Sequence, residues 1–188
     1  MSAIVIGACG HIAAGKTTIF EHLEKNYDVD YARFSDPLRN IADILGIEKN
    51  RENLQKLSTL LRENFDQAFL SKAIRAYIDR SNHNYIYIDG IRRLPDITYL
   101  KDLPNFFLIA INADLKTRYE RITTRNENPD DQSKTWEAFQ AEAKQESELQ
   151  INEVMEHAAF TVNNNGTIDE FYSQIDNIMQ KINAQTKP

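Results

Sequence analysis

Residues 10–17 contain two glycines separated by four positions and followed by lysine and threonine, directly after an apolar run at residues 3–6. Glycines let a loop curl until successive backbone N–H groups point inward, and such a nest of donors holds phosphate oxygens. At this spacing Lys16 reaches the β- and γ-phosphates of a nucleotide, and Thr17 offers its hydroxyl to Mg²⁺. The pattern predicts a nucleotide-phosphate site formed by Gly10, His11, Ile12, Ala13, Ala14, Gly15, Lys16, Thr17 and Thr18.

The segments on both sides of residues 10–17, which we call the phosphate loop, favour this site over an ordinary glycine-rich turn. A β-type run precedes the loop, and the apolar residues Ile19, Phe20 and Leu23 predict a helix after it. A helix that begins here adds the positive end of its dipole to the same anion. The phosphate loop therefore has the strand-to-helix context that its chemistry requires.

An apolar strand at residues 85–88 is followed by Asp89 and Gly90. A carboxylate at the end of a strand beside the phosphate loop can face Thr17 and hold Mg²⁺ through its water shell, because Mg²⁺ keeps several waters. The alternative is a β-turn that Asp89 forms with Gly90. The neighbouring phosphate loop favours the metal role, so we predict Thr17 and Asp89 as the metal-binding pair.

Arginines after two strands are predicted to hold a second phosphate. Arg92 and Arg93 follow the strand that ends at Asp89, and a guanidinium group binds phosphate with two parallel hydrogen bonds. The alternative for this pair is a solvated loop. Asp36 and Arg39 follow another strand, and Asp36 is explained either by capping of a helix or by positioning an acceptor while Arg39 holds its phosphate.

Arg118, Arg121 and Arg125 are spaced to lie on one face of a helix, just before an Asn/Asp/Pro-rich segment at residues 126–133. Three guanidinium groups on one face repel one another unless they meet an anion or water. Such a row suits a lid that closes over a triphosphate and excludes water. The alternative is a solvated helix face.

Residues 163–167, with the sequence Asn-Asn-Asn-Gly-Thr, follow the last strand-like run. This segment either presents backbone groups to a purine base or only turns the chain and caps the next helix at Thr167. We favour the plain turn.

The composition of the 188-residue chain is typical of a globular protein, with 41% apolar and 27% charged residues. The net charge of −6 argues against nucleic acid as a partner, because phosphate backbones require a basic surface.

The single cysteine, Cys9, excludes an internal disulfide framework and is interpreted as a small residue rather than a reactive thiol. No run approaches the ~20 apolar residues of a membrane span, and no signal peptide is recognised. We expect a cytoplasmic protein without a membrane partner; the oligomeric state stays open.

Strand-like runs alternate with longer helical segments along the chain. The strand-like runs are residues 3–7, 29–34, 85–88, 106–111 and 159–162; the helical segments are residues 16–24, 37–45, 53–78 (one helix or a pair), 115–125, 136–158 and 168–182. Strands separated by helices form right-handed crossovers and a mostly parallel sheet. The sequence predicts a single α/β domain over residues 1–188, with ligands at the carboxyl ends of the strands.

These motifs resemble the P-loop nucleoside monophosphate kinase group, which includes adenylate kinases, deoxynucleoside monophosphate kinases and dephospho-CoA kinases. Residues 7–18 look like the glycine-rich loop of dephospho-CoA kinases, and residues 34–38 resemble a segment of deoxynucleoside monophosphate kinases. Residues 89–93 are similar to the Asp-Gly-Phe-Pro-Arg segment of adenylate kinases, whose arginine holds the acceptor phosphate. Arg93 takes that place here, and the three arginines of the predicted lid match the start of the lid in that group.

The resemblance implies a P-loop NTPase fold, with three α/β/α layers, a five-stranded parallel sheet and a short helical lid. It places an acceptor-binding helical region at residues 36–80 and the lid at residues 118–140. It also implies transfer of a phosphoryl group from ATP, with Mg²⁺, to a nucleoside monophosphate, a deoxynucleotide or AMP being favoured. The implied catalytic residues are Lys16, Arg121, Arg125 and Asp36, and the implied substrate-binding residues are Asp36, Arg39, Arg62 and Arg93.

Two other functions remain open from the sequence. A dephospho-CoA kinase phosphorylates a sugar hydroxyl, so Asp36 would then act as a general base. A nucleotide-dependent switch or binding module would turn over little nucleotide, but the Asn-Lys-x-Asp element of GTPase switches is missing from the chain. The expected partners are small-molecule nucleotides in each case.

Overall fold

A computed structural model describes residues 3–124, 132–144 and 146–186. The strands are β1 (Ile4–Cys9), β2 (Val29–Arg33), β3 (Tyr85–Ile91), β4 (Phe106–Asn112) and β5 (Phe160–Asn163). The helices are α1 (Lys16–Leu23), α2 (Asp36–Ile44), α3 (Arg51–Asn64), α4 (Phe69–Ile78), α5 (Leu115–Thr124), α6 (Trp136–Ala143), α7 (Glu146–Met155) and α8 (Ile168–Thr186). A 3₁₀ turn at Leu94–Ile97 follows β3.

The five strands pair in parallel in the order β2-β3-β1-β4-β5. β1 lies at the centre, with Val5 opposite Ile86 of β3 on one side and Phe106 of β4 on the other. Because the strands are parallel, their carboxyl ends meet at one edge of the sheet, and the phosphate loop leaves β1 at this edge. The order of the strands brings the segments after β2 and β3 to one side of the loop and those after β4 and β5 to the other.

Alternate residues of the central strands face two separate apolar layers, as the period of a strand requires. On one face, Val5 and Cys9 of β1 pack with Leu38 of α2, Ile74 of α4 and Val154 of α7. The other face is covered by α1 and α8, and its buried side chains include Ile6, Ala8, Ile19, Leu23, Phe171, Ile175 and Met179. The predicted three-layer α/β/α fold with a five-stranded parallel sheet is confirmed.

The observed elements differ from the predicted ones mainly at their ends. β1 continues to Cys9 because the small residues before the phosphate loop are still buried in the sheet. The segment at residues 53–78 is a pair of helices, and Asp66 caps the backbone N–H of Ala68 at 2.9 Å between them. The segment at residues 136–158 is likewise divided into α6 and α7. Within the described ranges, none of the helices combines the length and apolarity needed to cross a membrane.

Candidate functional site

The phosphate loop has a backbone that requires glycine at two positions. Gly10 has a φ of 156° and Gly15 a φ of 110°, which side chains rarely allow. A Cβ atom on Gly10 would lie 2.9 Å from the carbonyl oxygen of Ile111, and one on Gly15 would collide with the Nδ2 atom of Asn164. The two glycines therefore let the loop approach β4 and the segment after β5 closely.

The first turn of α1 presents backbone N–H groups to this loop. The N-cap residue is Gly15, which has no side chain that could cap the helix. No acidic residue lies in the first turn. The hydroxyl of Tyr87 donates to the carbonyl oxygen of Lys16 at 2.7 Å and so anchors the start of α1 to β3. A helix N-terminus without a cap binds anions through its free N–H groups and its dipole.

Lys16 folds over the phosphate loop. Its Nζ atom donates to the carbonyl oxygens of Gly10, at 2.9 Å, and His11, at 3.2 Å. His11 in turn forms a 2.9 Å hydrogen bond between its Nε2 atom and Oδ1 of Asn152 in α7. The ammonium group thus lies over the phosphate loop, and its contact with a nucleotide phosphate stays a prediction.

Asp89 lies in β3, the strand next to β1. Its Oδ2 atom accepts a 3.0 Å hydrogen bond from the hydroxyl of Tyr31, while Oδ1 is buried and has no hydrogen-bond partner within the described part of the chain. A buried acceptor without a donor is costly, and a water bound to Mg²⁺ would donate to it. Thr17 is exposed in the first turn of α1. These oxygen donors fit a hydrated Mg²⁺, and the alternative β-turn at Asp89 is not formed because β3 continues to Ile91.

Burial and the carboxylate of Asp89 raise the pKa of Tyr31 well above its usual value. Tyr31 therefore stays protonated at neutral pH and continues to donate to Oδ2. This hydrogen bond fixes the orientation of the Asp89 carboxylate beside the phosphate loop.

Asp36 is the first residue of α2 and caps the turn that follows β2. Its Oδ2 atom accepts a 2.7 Å hydrogen bond from the backbone N–H of Arg33. Three residues on, Arg39 donates from Nε to Oγ of Ser35 at 3.4 Å. Asp36 therefore closes the turn before α2 and does not cap the helix, whose N-cap residue is Ser35 and has no side-chain cap, while its role at an acceptor stays a prediction.

Four guanidinium groups lie near the carboxyl ends of the neighbouring strands β2 and β3. They belong to Arg33, Arg39, Arg92 and Arg93. None of the four forms an ion pair with a carboxylate among the residues that the structure describes. In a protein with a net charge of −6, such a group of guanidinium groups without carboxylate partners could hold an anion.

The structure corrects the predicted substrate contact of Arg62. This side chain is only 7% exposed, and its Nη2 atom donates to Oδ1 of Asp96 at 2.7 Å. Its Nη1 atom donates to the carbonyl oxygen of Gln67. The other oxygen of Asp96 accepts the backbone N–H groups of Arg92 and Arg93, both at 3.0 Å. Arg62 is therefore committed to a buried ion pair that ties α3 to the loop carrying the two arginines.

The arginines of the predicted lid do not lie on a solvated face where they are described. Arg118 is 6% exposed, stacks over Phe139 at 5.7 Å, and donates from Nη1 to the carbonyl oxygen of Ile12 at 3.4 Å. Arg121 points from the same helix towards the segment after β5. Arg125 and residues 126–131 lie outside the described residues, so the role of Arg125 and closure of the lid stay predictions.

Asn164 belongs to residues 163–167, for which the sequence analysis favoured a plain turn, and its contacts with the phosphate loop and with Arg121 were not predicted. Its Nδ2 atom donates to the carbonyl oxygen of Ala14 at 2.8 Å. Its Oδ1 atom and its carbonyl oxygen both accept from Nη2 of Arg121, at 3.1 and 2.8 Å. The contact with the loop spans 150 positions in sequence, so no local pattern reveals it.

Comparisons to known proteins show the family and the fold of the chain. A family model described as an AAA domain matches residues 9–140, which include the phosphate loop and Asp89. The chain belongs to this AAA-domain family. The matched region runs from the last residue of β1 into α6 and leaves out the segment after β5.

Curated relatives and solved structures extend the similarity of this AAA-domain protein to the whole chain. A UPF0200 protein of Methanocaldococcus jannaschii is 29% identical over 181 residues, covering 95% of this chain and 90% of that protein. A UPF0200 protein of Methanococcus maripaludis is 28% identical, with 95% and 97% covered. The crystal structure of TT1252 from Thermus thermophilus covers both chains completely, with a TM-score of 0.57 and 16% identity. Shikimate kinase from Bacteroides thetaiotaomicron has a TM-score of 0.60 and 11% identity, with 96% and 98% covered. The fold is therefore that of the P-loop kinases.

Proposed function

We propose that this protein transfers the γ-phosphoryl group of ATP to the phosphate of a nucleoside monophosphate, a deoxynucleotide or AMP being favoured. One observation carries the proposal. Two buried polar atoms without partners in the described structure, Oδ1 of Asp89 and Nη1 of Arg121, flank the phosphate loop on its β3 and β5 sides. The first suits the hydration shell of Mg²⁺, and the second suits a phosphate oxygen.

The part of the site that binds ATP provides positive charge around the transferring phosphoryl group. An oxygen of the acceptor phosphate attacks the γ-phosphorus, and the bond from that phosphorus to the oxygen bridging the β-phosphate breaks, so that ADP leaves. Lys16, Arg121 and the N–H groups of the loop stabilise the negative charge on the transferring group. Mg²⁺, when held near Thr17 and Asp89, neutralises charge on the β- and γ-phosphates. Arg125 is assigned the same role as Arg121.

The acceptor side of the site fits an anion. Arg39 and Arg93 hold the acceptor phosphate in this proposal, and Arg33 and Arg92 add positive charge around it. Arg62 is removed from the acceptor set because its guanidinium is committed to Asp96. A phosphate oxygen needs no strong base to attack, so Asp36 positions the acceptor by capping the turn beside it.

A hydroxyl acceptor, as in dephospho-CoA kinases, would give Asp36 a different task. Asp36 would then remove the proton from the attacking hydroxyl. The variant Asp36→Asn separates the two schemes, because asparagine can still accept the N–H of Arg33 but cannot act as a base. We expect this variant to keep most of its kcat; loss of nearly all rate would favour the hydroxyl acceptor.

A coupled assay for ADP release, run with ATP and Mg²⁺ over all ribo- and deoxynucleoside monophosphates, dephospho-CoA and shikimate, tests the proposal. Shikimate is included because solved kinases of this fold carry its name. We expect turnover with one or a few nucleoside monophosphates, and its loss in Lys16→Ala, since removing a donor to the transferring group costs ~100-fold or more. Lys25→Ala is the matched control, because Lys25 lies beyond the end of α1. Substantial turnover in Lys16→Ala would overturn the scheme.

If no member of the panel is phosphorylated, titration calorimetry with ATP and ADP distinguishes the remaining possibilities. Tight nucleotide binding without turnover would indicate a nucleotide-dependent binding module. If neither ATP nor ADP binds, the predicted nucleotide-phosphate site is contradicted.

A further inference from the structure

Asn164 occupies a fixed position at the carboxyl end of β5. The residue is 5% exposed, and its backbone N–H donates to the carbonyl oxygen of Asn112, the last residue of β4, at 2.7 Å. The residues on either side are also held, since Asn165 accepts the N–H of Asp114 at 2.7 Å and Gln174 donates to the carbonyl oxygen of Asn163 at 2.9 Å. These hydrogen bonds therefore fix the backbone position from which the Asn164 side chain extends.

Both ends of the Asn164 amide are used, and each end bonds a different part of the site. The Nδ2 atom donates to Ala14 in the phosphate loop, and the Oδ1 atom accepts from Arg121 in α5. The opposite orientation of the amide would place its NH₂ group against a guanidinium and its oxygen against a carbonyl oxygen. Only the orientation present satisfies both neighbours, so the amide joins the loop to Arg121 in one geometry.

The guanidinium of Arg121 has one end held and one end without a partner. Nη2 forms both bonds to Asn164, while Nη1 is buried and, among the residues described, has no hydrogen-bond acceptor. Arginine remains protonated even though burial lowers its pKa. A charged donor kept away from water requires an anion, and the loop that Asn164 contacts is the predicted place for one.

We propose that Asn164 is a positioning residue for phosphoryl transfer, which sets Arg121 at a fixed distance from the phosphate loop. This inference rests on the proposed function of the same site. Asn164 touches neither nucleotide nor metal in this scheme and acts through Arg121 and through the carbonyl oxygen of Ala14. Gly15 belongs to the same arrangement, because any side chain there would displace Nδ2 of Asn164.

The identity of the amide is the part of the proposal that can be tested most sharply. If Asn164 only accepted a hydrogen bond from Arg121, aspartate would replace it well, because a charged acceptor binds guanidinium more strongly. Aspartate cannot donate to Ala14, however, and would place a second oxygen against that carbonyl oxygen in a buried position. We therefore expect Asn164→Asp to be impaired at least as much as Asn164→Ala.

The experiment measures kcat and the KM for ATP in Asn164→Ala, Asn164→Asp, Arg121→Ala and the double variant Asn164→Ala/Arg121→Ala, with the acceptor identified by the screen. We expect kcat to fall about 10-fold to 100-fold in Asn164→Ala, with a much smaller rise in the KM for ATP. The double variant should lose much less than the product of the two single losses, since Asn164 acts mainly through Arg121. Asn183→Ala is the matched control: its Oδ1 accepts a 2.9 Å hydrogen bond from Tyr85 far from the loop, and its kcat should stay at the wild-type value.

Fully multiplicative losses in the double variant, or wild-type kcat in Asn164→Asp, would overturn the proposal. Asn164→Ser is the second variant if Asn164→Ala fails to fold, because serine keeps a polar side chain at this position but its hydroxyl ends one bond short of both amide atoms that contact Ala14 and Arg121. It should show the same fall in kcat with an unchanged far-UV circular dichroism spectrum; a serine variant with normal kcat would also overturn the proposal.

A binding measurement separates failure of this inference from failure of the proposed function. The ratio of the dissociation constants for ADP and ATP reports contacts with the γ-phosphate whether or not transfer occurs. We expect Asn164→Ala and Arg121→Ala to reduce this ratio equally. If the two variants show a reduced ratio although the wild-type protein phosphorylates nothing, the proposed function fails and the positioning role stands. If the wild-type protein is an active kinase and the two variants have the same ratio as the wild type, only the positioning role is contradicted.

Discussion

Cys9 is the last residue of β1 and lies directly before the phosphate loop, where a reactive thiol would affect nucleotide binding. The side chain has no exposed surface, and burial raises the pKa of its thiol to about 12. The positive charge of Lys16 opposes this rise but does not overcome it. Because the thiolate is the reactive form, Cys9 serves as a small apolar residue of the core.

We expect Cys9 in the native protein to resist modification by a disulfide reagent such as DTNB at pH 8. The reason is that both access and ionisation of the thiol are suppressed. Absorbance at 412 nm should stay near the blank for an hour and rise to one equivalent in guanidinium chloride, since the chain has one cysteine. Reaction of the native protein within minutes would show that the end of β1 opens or that the thiol is ionised.

At the candidate site, local sequence patterns located the residues that are defined by their immediate neighbours in sequence. The phosphate loop and Asp89 are defined by spacing and by the apolar runs before them, and both lie at the expected edge of the sheet. Asn164 and Arg62 show what such patterns miss. Each is defined by a partner far away in sequence, Ala14 for the first and Asp96 for the second. Hydrogen-bond partners at this separation depend on how the strands are ordered, which no single segment encodes.

At the scale of elements, the most consequential contact is the buried ion pair that joins α3 to the turn after β3. Arg62 and Asp96 are 7% and 2% exposed. Through the backbone N–H groups of Arg92 and Arg93, Asp96 also orders the loop predicted to hold the acceptor. The pair therefore connects the acceptor-binding helical region to the sheet.

We expect Asp96→Asn to lower the free energy of unfolding by about 3–5 kcal/mol, because it leaves the charge of Arg62 buried without a counter-ion. The double variant Arg62→Met/Asp96→Asn should lose less than the sum of the two single changes, since it removes both charges. Urea unfolding followed by circular dichroism measures each value.

The matched control for this pair is the exposed ion pair between Glu52 and Lys56 on the same helix, whose Oε1 and Nζ atoms lie 2.6 Å apart. Solvent screens this pair, so Glu52→Gln should have a much smaller effect on unfolding. Equal losses in Asp96→Asn and Glu52→Gln would contradict a structural role for the buried pair.

The lengths of the elements were less predictable than their types. Apolar periodicity located all five strands and marked a helix or helix pair at residues 53–78. The break between α3 and α4 depends on Asp66, which bonds the N–H of Ala68, and a single capping residue is a weak signal inside an apolar pattern. The extension of β3 to Ile91 depends on pairing with Cys9 of β1, which is a contact between distant segments.

At the scale of the whole molecule, the protein is acidic but concentrates unpaired arginines at one edge of its sheet. The net charge of −6 is therefore no guide to the local field around the phosphate loop. Several tyrosine hydroxyl groups have raised pKa values. Burial raises the pKa of Tyr77 to about 12, with the carboxylate of Asp30 adding to the effect, and raises the pKa of Tyr87 well above its usual value.

These shifts make the stability of the fold sensitive to alkaline pH. A group whose pKa is raised in the native state binds its proton more tightly than the unfolded chain does, so its contribution is complete below the unfolded value of ~10 and is lost as pH rises towards 12. Ionisation of Tyr87 would also break its bond to the carbonyl oxygen of Lys16, at the start of α1. Alkaline pH should therefore unfold the core and disrupt the start of α1 at the phosphate loop in the same pH range.

We expect the free energy of unfolding to fall steadily above pH 10. Exposed tyrosines ionise first, and the remaining tyrosinate absorbance at 295 nm should appear in the same step as the loss of circular dichroism at 222 nm. Tyr77→Phe removes one ionising group and its bond to Asp30, so it should lower stability at pH 7 but shift the alkaline midpoint upward relative to that baseline. Tyr99→Phe, at a side chain that is 38% exposed, is the control and should leave both values unchanged. Tyrosinate absorbance that reaches its full amplitude while the circular dichroism signal is still native would contradict the coupling, because the buried hydroxyl groups would then ionise without unfolding the protein.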